Sequence, residues 1–201
     1  MVAIQNLVLD MGNVLFDYNP GAMTEYFLPA APEEDKKRFL KEFFSGSEWI
    51  DRDLGIISEE EMYRSVSKRL PPRLHESLRN CLQSWPLCMK PFEEAQSFVR
   101  FAKKRGYGLY VLSNASQNFY GYFPRFGPLY WFDGIVISSE IHLLKPDPAI
   151  YRYLFEKYGL SPAECLFIDD REENVEAARA LGMQGVVFDG NWEDIRQRFC
   201  I

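Results

Sequence analysis

Histidine and cysteine, the residues that build most zinc sites, are scarce in this sequence. The 201 residues include two histidines and four cysteines. The cysteines form no CxxC pair and show no other zinc-like spacing. The pattern does not indicate a zinc centre, and it is typical of reduced thiols in the cytoplasm. We therefore predict a cytoplasmic protein.

A surplus of basic residues is also absent. Lysine and arginine total 23 against 29 aspartates and glutamates, which leaves a formal net charge of −6. Nucleic acids and anionic membranes attract basic patches, so we expect neither as a partner. The longest uncharged apolar run is far shorter than the roughly 20 residues that span a bilayer. The opening stretch, MVAIQNLVLD, has no basic start and no cleavage site, and we expect no signal peptide.

Apolar residues, in contrast, are plentiful. Hydrophobic side chains make up 47% of the chain and aromatic ones 15%, which is enough to bury a core. Short apolar runs predict five strands, at 4–9, 107–112, 134–137, 165–168 and 185–188. Amphipathic stretches between them predict four helices, at 91–105, 116–125, 148–158 and 172–181. This alternation indicates an α/β fold with a parallel sheet flanked by helices.

One interval breaks the alternation. Residues 17–88 contain helical patterns and no convincing strand, although a parallel crossover needs only a dozen or so residues. We interpret 17–88 as a small all-helical cap inserted after the first strand, and 1–16 with 89–201 as the core. Because it follows the first strand directly, the insert should lie over the carboxyl ends of the sheet.

Polar side chains follow four of the predicted strands at the point where each strand ends. They are Asp10, Ser113 with Asn114, Lys145 after a short loop, and Asp169 with Asp170. Ligands of open α/β sheets bind outside the carboxyl ends of the strands, so we expect these groups to share one site.

The chemistry of this set fits phosphoryl transfer. Three carboxylates beside one lysine would repel one another unless a cation lay among them, and hard oxygen ligands suit Mg²⁺. The ion would neutralise an incoming phosphate, whose other oxygens Lys145 and Ser113 would hold. The Asp10 carboxylate could then attack phosphorus and form an aspartyl-phosphate, which water hydrolyses.

Four motifs in this order and spacing resemble those of the haloacid dehalogenase superfamily. They are DMGNVL, VLSN, KPDPAIY and FIDDREENVEAARALG, and with the insert the resemblance covers essentially the whole chain. It implies a Rossmann-like core with a small helical cap, Mg²⁺ dependence and, most often, phosphatase activity.

The resemblance also implies a role for each matching residue. Asp10 matches the nucleophile and first metal ligand, and the backbone carbonyl of Gly12 matches a second ligand. Ser113, with Asn114 beside it, matches the phosphate-binding hydroxyl. Lys145 matches the lysine that stabilises nucleophile and phosphate. Asp170 matches the direct acidic metal ligand, with Asp169 one step further from the ion.

Position 12 departs from the family pattern. Its phosphatases usually carry an aspartate there, which protonates the leaving oxygen and later activates water, and glycine can do neither. A phosphatase that takes its acid from elsewhere is the preferred interpretation, with Asp17 and Asp51 as candidates. The alternatives are a 2-haloacid dehalogenase, which needs no such acid, and a catalytically impaired binding or regulatory domain.

The substrate is expected to be a small phosphorylated metabolite. The DMGNV stretch is similar to a sugar-phosphatase-like branch, which favours a sugar phosphate. Trp49, Asp51 and Arg52 of the insert are candidates for contacting the substrate. The aromatic stretch 118–132 predicts core packing, and an exposed part of it would be compatible with a homodimer.

Overall fold

A computed structural model of the chain describes residues 3–201. Five parallel strands form the central sheet in the order β5-β4-β1-β6-β7. A separate antiparallel pair joins β2 and β3. The strands are β1 Asn6–Leu9, β2 Phe16–Asp17, β3 Lys90–Pro91, β4 Gly108–Ser113, β5 Gly134–Ile137, β6 Cys165–Asp169 and β7 Gln184–Val187.

Eleven α-helices surround the sheet within the described residues. They are α1 Pro20–Phe27, α2 Glu33–Phe39, α3 Ser47–Asp53, α4 Glu59–Ser67, α5 His75–Ser84, α6 Glu93–Lys104, α7 Phe119–Tyr122, α8 Ser138–Ile141, α9 Pro148–Tyr158, α10 Glu172–Ala180 and α11 Trp192–Phe199. A π-helical turn, Leu40–Phe44, extends α2.

The strand order places β1 where the direction of chain progression across the sheet reverses. From β1 the chain builds outward through β4 and β5, then crosses back to β6 on the other side of β1. Such a switch point opens a crevice at the carboxyl ends of the strands, where ligands bind in open α/β sheets. Asp10 and Asp170 lie at this crevice, just after β1 and β6.

Both faces of the sheet are buried. Leu7 and Leu9 of β1 belong to the larger apolar cluster, whereas Val8 between them packs into a second cluster with Phe167. Side chains of a strand alternate between faces, so a strand covered on both sides reads as a continuous apolar run. The predicted α/β class and parallel sheet are confirmed.

The predicted elements differ from the observed ones mainly at their ends, with two larger exceptions. The stretch 116–125, predicted as one helix, contains only the short α7 and a 3₁₀ turn at Phe123–Arg125. Helix α11 was not predicted, although Asn191 accepts a capping hydrogen bond from the Asp194 backbone N–H. An asparagine before a polar, amphipathic stretch is the signal that would have located it.

Residues 17–88, called the helical insert below, contain helices α1 to α5. The pair β2–β3 stands where the chain leaves the sheet and returns to it: Phe16 is opposite Pro91, and Asp17 is opposite Lys90. These two-residue strands are too short to show any alternation in the sequence. The division into an insert at 17–88 and a core at 1–16 and 89–201 remains our proposal.

Of the helices in residues 3–201, none combines the length and hydrophobicity that crossing a membrane requires. The aromatic stretch 118–132 is largely internal, since Phe119, Phe123 and Phe126 are buried. Tyr130 in the same stretch is 78% exposed, and the homodimer stays a prediction.

The end of α3 is docked against the core at α8. The Ser138 hydroxyl donates a hydrogen bond to the Asp53 carbonyl, and the His142 Nδ1 lies 2.8 Å from the Leu54 carbonyl. Gly55 follows with φ +70°, and a Cβ there would lie 2.4 Å from the Ser139 carbonyl oxygen. Only glycine permits both this backbone conformation and this close approach.

Replacing Gly55 by alanine should therefore weaken the docking of α3. We expect Gly55→Ala to destabilise the protein by roughly 2–4 kcal/mol, from left-handed strain plus steric overlap. The control is Gly106→Ala, where φ is +87° but nothing lies within 4 Å of the added Cβ. Urea unfolding should give the smaller loss for Gly106→Ala, and equal losses would contradict the close approach.

Candidate active site

A buried lysine lies at the centre of the polar residues that follow the strands. The Lys145 Nζ is 2.6 Å from the Asp10 Oδ1 and 2.7 Å from the Asp169 Oδ2. Lys145 and Asp169 are almost completely buried, and Asp10 is 8% exposed. The ammonium thus joins the ends of β1 and β6, which are neighbouring strands.

Burial and charge act against each other on these groups. Burial raises the pKa of the Asp10 carboxyl to about 7, against the attraction of the Lys145 ammonium. Burial alone would lower the pKa of Lys145, but the carboxylates of Asp10 and Asp169 raise it above its usual value. The lysine therefore remains an ammonium and can neutralise one of its carboxylate neighbours.

The two adjacent aspartates at the end of β6 have different surroundings. Asp169 accepts hydrogen bonds from the Arg171 backbone N–H and the Asn174 amide in addition to its ion pair with Lys145. Asp170 is half-buried and accepts one side-chain hydrogen bond, at 2.9 Å from the Asn13 amide. Asp170 thus keeps oxygen lone pairs for another ligand, whereas those of Asp169 are engaged.

Asn13 is a residue of the site that our sequence analysis missed. Its backbone has φ +55°, a left-handed conformation that asparagine tolerates better than most residues. Its side-chain oxygen accepts from the Tyr18 backbone N–H, and its amide donates to Asp170. Asn13 therefore links the turn after β1 to the end of β6. In the sequence, an asparagine that follows a glycine indicates only a turn, so this pattern did not identify Asn13 as a residue of the site.

The carboxylates of Asp10, Asp169 and Asp170 fit a cation site. Each offers an oxygen, and these atoms all lie within 4.8 Å of one another. With all three carboxyls ionised, three carboxylates face one ammonium here, an excess of two negative charges. Clustered carboxylate oxygens with this excess match the preference of Mg²⁺.

The other predicted residues lie at the same place. Ser113 ends β4, is buried, and lines a cavity with Gly12, Asn114 and Lys145. The Asn114 side chain exchanges two hydrogen bonds with the Lys145 backbone, at 2.8 and 3.0 Å. The structure therefore brings all seven predicted residues together, and it shows that Asn114 fixes the loop carrying Lys145.

The cavity has a volume of about 410 Å³ and two chemically different ends. The charged residues form its floor at the sheet. Its walls are mostly apolar and come largely from the helical insert: Tyr18, Phe44, Trp49, Ile50, Trp85 and Tyr122. Sites for small organic molecules have this combination of an apolar lining and a few polar groups.

Arg52 lies behind two of the aromatic walls. Its guanidinium carbon is 4.8 Å from the ring centre of Trp49 and 5.1 Å from that of Trp85. Arg52 is buried, and within residues 3–201 its guanidinium nitrogens have no hydrogen-bond partner. Stacking on aromatic faces compensates part of the charge. Arg52 therefore supports the rings, and Trp49 itself faces the cavity.

The two residues predicted to replace the missing acid, Asp17 and Asp51, do not lie at the cavity. Among the described residues, those that line the cavity include neither Asp17 nor Asp51. Asp17 is exposed in β2. Asp53 does line the cavity, together with Trp49 of the same helix. Asp53 lies four residues after Trp49, and residues at that spacing share a helix face, so a Trp49 that faces the cavity predicts that Asp53 faces it as well.

Comparisons with known proteins agree with this geometry. A model of the haloacid dehalogenase-like hydrolases matches residues 4–182. A sesquiterpene phosphatase from Aspergillus oryzae is 28% identical, over 89% of this chain and 87% of its own. A phosphoglycolate phosphatase from Haemophilus influenzae is 26% identical, over 80% of this chain and 71% of its own. A structure of a HAD family enzyme from Bacteroides thetaiotaomicron, in complex with magnesium and inorganic phosphate, has a TM-score of 0.74 at 21% identity, covering 96% and 99% of the two chains.

Removing the central ammonium should destabilise the fold. Lys145→Met leaves the buried carboxylates of Asp10 and Asp169 without their ion partner, and we expect a loss of about 3–5 kcal/mol in EDTA. The control is Lys103→Met, because Lys103 forms a half-exposed pair with Asp133 at 2.6 Å and should cost less than about 1 kcal/mol. Urea unfolding measures both, and similar losses would contradict the central role of Lys145.

Proposed function

This chain belongs to the haloacid dehalogenase-like hydrolases, and from that premise we propose that it is a Mg²⁺-dependent phosphatase of small phosphomonoesters. One observation carries the proposal. Three carboxylates gather around a buried lysine at the carboxyl ends of β1 and β6, on the floor of a cavity sized for a small organic molecule. This arrangement can receive a phosphate group and present a nucleophile to it.

Asp10 is the proposed nucleophile. Its Oδ1 is held by Lys145 at 2.6 Å, and its carboxylate opens into the cavity. Attack forms a bond between a carboxylate oxygen and phosphorus while the bond to the alcohol oxygen breaks. Water then cleaves the aspartyl-phosphate and regenerates the carboxylate. Ser113 and Lys145 are the proposed donors to the oxygens of the phosphate.

Asp10, Asp170 and the carbonyl of Gly12 are the proposed metal ligands. Asp169 lies next to them, and its hydrogen bonds to Lys145 and Asn174 suit it to hold the site together. Bound Mg²⁺ would supply positive charge against the phosphate oxygens. The Bacteroides thetaiotaomicron enzyme, which has the same fold, was crystallised with magnesium and phosphate.

The organic part of the substrate should be apolar. Our sequence analysis favoured a sugar phosphate, but the rings of the cavity walls offer few hydrogen-bond partners to its hydroxyls, at most one N–H or O–H for each Trp or Tyr. By their names, one relative acts on a phosphorylated sesquiterpene and another on phosphoglycolate, a small phosphorylated acid that is not a sugar. The walls formed by Phe44, Trp49 and Trp85 favour a hydrocarbon group.

The alternatives explain the floor of the cavity less well. A dehalogenase needs the nucleophile but no cation, and the excess of negative charge around Lys145 would then repel a carboxylate substrate. An impaired binding domain would not require a nucleophile that opens into the cavity. Phosphate release is therefore the reaction that uses each group present.

A substrate panel tests the proposed function. We expect phosphate release from n-octyl phosphate and p-nitrophenyl phosphate in Mg²⁺, and none in EDTA or with the Asp10→Asn variant. Halide release from a 2-haloacid in EDTA would support the dehalogenase instead. No turnover of any compound, with ligand binding retained, would support the impaired domain.

A thermal unfolding experiment tests the proposed metal site separately. Mg²⁺ should raise the melting temperature of the wild type, because a ligand bound only by the folded state stabilises it. Asp170→Asn should remove most of that increase. Asp189→Asn, on an exposed residue outside this cavity, should leave the increase unchanged. An unchanged response of the Asp170 variant would contradict its assignment as a ligand.

The apolar walls predict a selective effect of Trp49. Trp49→Ala should lower kcat/KM for n-octyl phosphate by roughly 10- to 100-fold, the equivalent of losing one large apolar contact. Turnover of glucose 6-phosphate should change little, and Trp131→Ala, outside the cavity, should affect neither substrate. Equal losses on both esters would show that Trp49 supports the fold and does not select the substrate.

A further inference from the structure

Asp53 lines the same cavity as Gly12, the glycine at the position of the usual acid. A Cβ on Gly12 would lie 3.6 Å from the Tyr18 Cβ, so Tyr18 borders the space that a side chain at position 12 would enter. Tyr18 and Asp53 both line the cavity, together with Gly12 and Asp10. A second carboxyl group therefore faces the reaction site from the insert.

The Asp53 carboxyl is half-buried and largely without partners. Its side chain is 14% exposed, and its Oδ1 lies 3.7 Å from an Arg52 nitrogen, too far for a hydrogen bond. The neighbouring titratable groups are Arg52, Tyr18 and Tyr122, with His142 bound to the next carbonyl along the chain. An acid with so few partners is free to exchange a proton with a ligand.

Tyr122 shows that the two carboxylates share one neighbourhood. Its buried hydroxyl has no hydrogen-bond partner within residues 3–201. Burial raises the pKa of Tyr122, and the charges of Asp53 and Asp10 add to the rise. Both aspartates line the cavity that Tyr122 also lines, although one belongs to the insert and the other to the core.

We propose that Asp53 is the general acid and base of the reaction, taking over the role that a side chain at position 12 would have. The inference rests on the proposed phosphatase function. Asp53 would give its proton to the leaving alcohol oxygen as the oxygen–phosphorus bond breaks and the Asp10–phosphorus bond forms. Its carboxylate would then take a proton from the attacking water, which releases phosphate and restores both aspartates.

The protonation state of Asp53 suits this role. Burial raises its pKa to about 7, and the charge of Arg52 opposes the rise. A general acid works best when its pKa lies near the working pH. The docking of α3 on α8, through the Asp53 carbonyl and Ser138, holds the residue at the junction with the core.

The test compares two leaving groups. Octanol leaves as a strongly basic alkoxide unless it is protonated, whereas p-nitrophenolate leaves readily without a proton. With Asp53→Asn we expect kcat/KM for n-octyl phosphate to fall roughly 100- to 10,000-fold, and that for p-nitrophenyl phosphate to fall less than about 10-fold. Asp51→Asn on the same helix is the matched control and should leave both values unchanged.

The pH profile gives a second readout. Wild-type kcat/KM for n-octyl phosphate should fall as pH rises through about 7, since the acid loses its proton. The ratio of wild type to Asp53→Asn on this one ester removes the contributions of Asp10 and of the ester's own ionisation, which both enzymes share. This ratio should fall as pH rises through about 7.

A rescue variant separates chemistry from folding. A Cβ added at position 12 makes only ordinary contacts, at 3.6 Å or more, and we expect Gly12→Asp to restore much of the n-octyl phosphate activity in the Asp53→Asn background. Equal loss on both esters, no loss at all, or a ratio of wild type to Asp53→Asn that does not change with pH would each overturn the assignment of Asp53. A wild type that releases no phosphate from either ester would overturn the proposed function and this inference with it.

Discussion

The Lys145 ammonium is buried between the carboxylates of Asp10 and Asp169, at 2.6 and 2.7 Å, and the rest of the site depends on it. Two neighbouring strands end in carboxylates that would repel each other in a medium of low dielectric constant. The lysine makes this proximity tolerable, and Asn114 fixes the lysine through its backbone. Because three carboxylates exceed one ammonium, the arrangement retains a negative excess that a divalent cation would relieve.

The two adjacent aspartates at the end of β6 have different roles in this cluster. Asp169 is fully buried and its oxygens are engaged by Lys145, Asn174 and the backbone of Arg171, so it holds the strand ends together. Asp170 keeps free lone pairs at the cavity and is steadied by Asn13 from the turn after β1. A rigid partner behind each ligand keeps the ligand in the orientation that binding needs.

The helical insert supplies a different kind of chemistry from the core. The core contributes charge, whereas the insert contributes aromatic walls and one carboxyl group, Asp53. Arg52 supports Trp49 and Trp85 from behind and lies beside Asp53. The close approach at Gly55 holds this end of α3 against the core. Selection of the organic group and supply of the proton would thus come from one short helix.

The sequence by itself determined the α/β fold and the six predicted residues that line the cavity, with Asp169 paired to Lys145 beside them. Strand and helix periodicity is local, and parallel strands deliver whatever follows them to one edge, so Asp10, Ser113 and Lys145 could be placed together without coordinates. Predictions were weakest where periodicity was short, as in the 116–125 stretch and the two-residue strands β2 and β3.

Only the tertiary structure decided what lies above that floor. The spacing from Trp49 favours Asp53 over Asp51 only once Trp49 is known to face the cavity, and the docking of α3 is what brings Trp49 and Asp53 there and leaves Asp51 outside. The same holds for Asn13, whose left-handed backbone lets it reach Asp170, and for Arg52, which stacks behind the walls. These placements depend on contacts between residues far apart in the chain, such as that of Gly55 with Ser139, and no local pattern encodes such contacts.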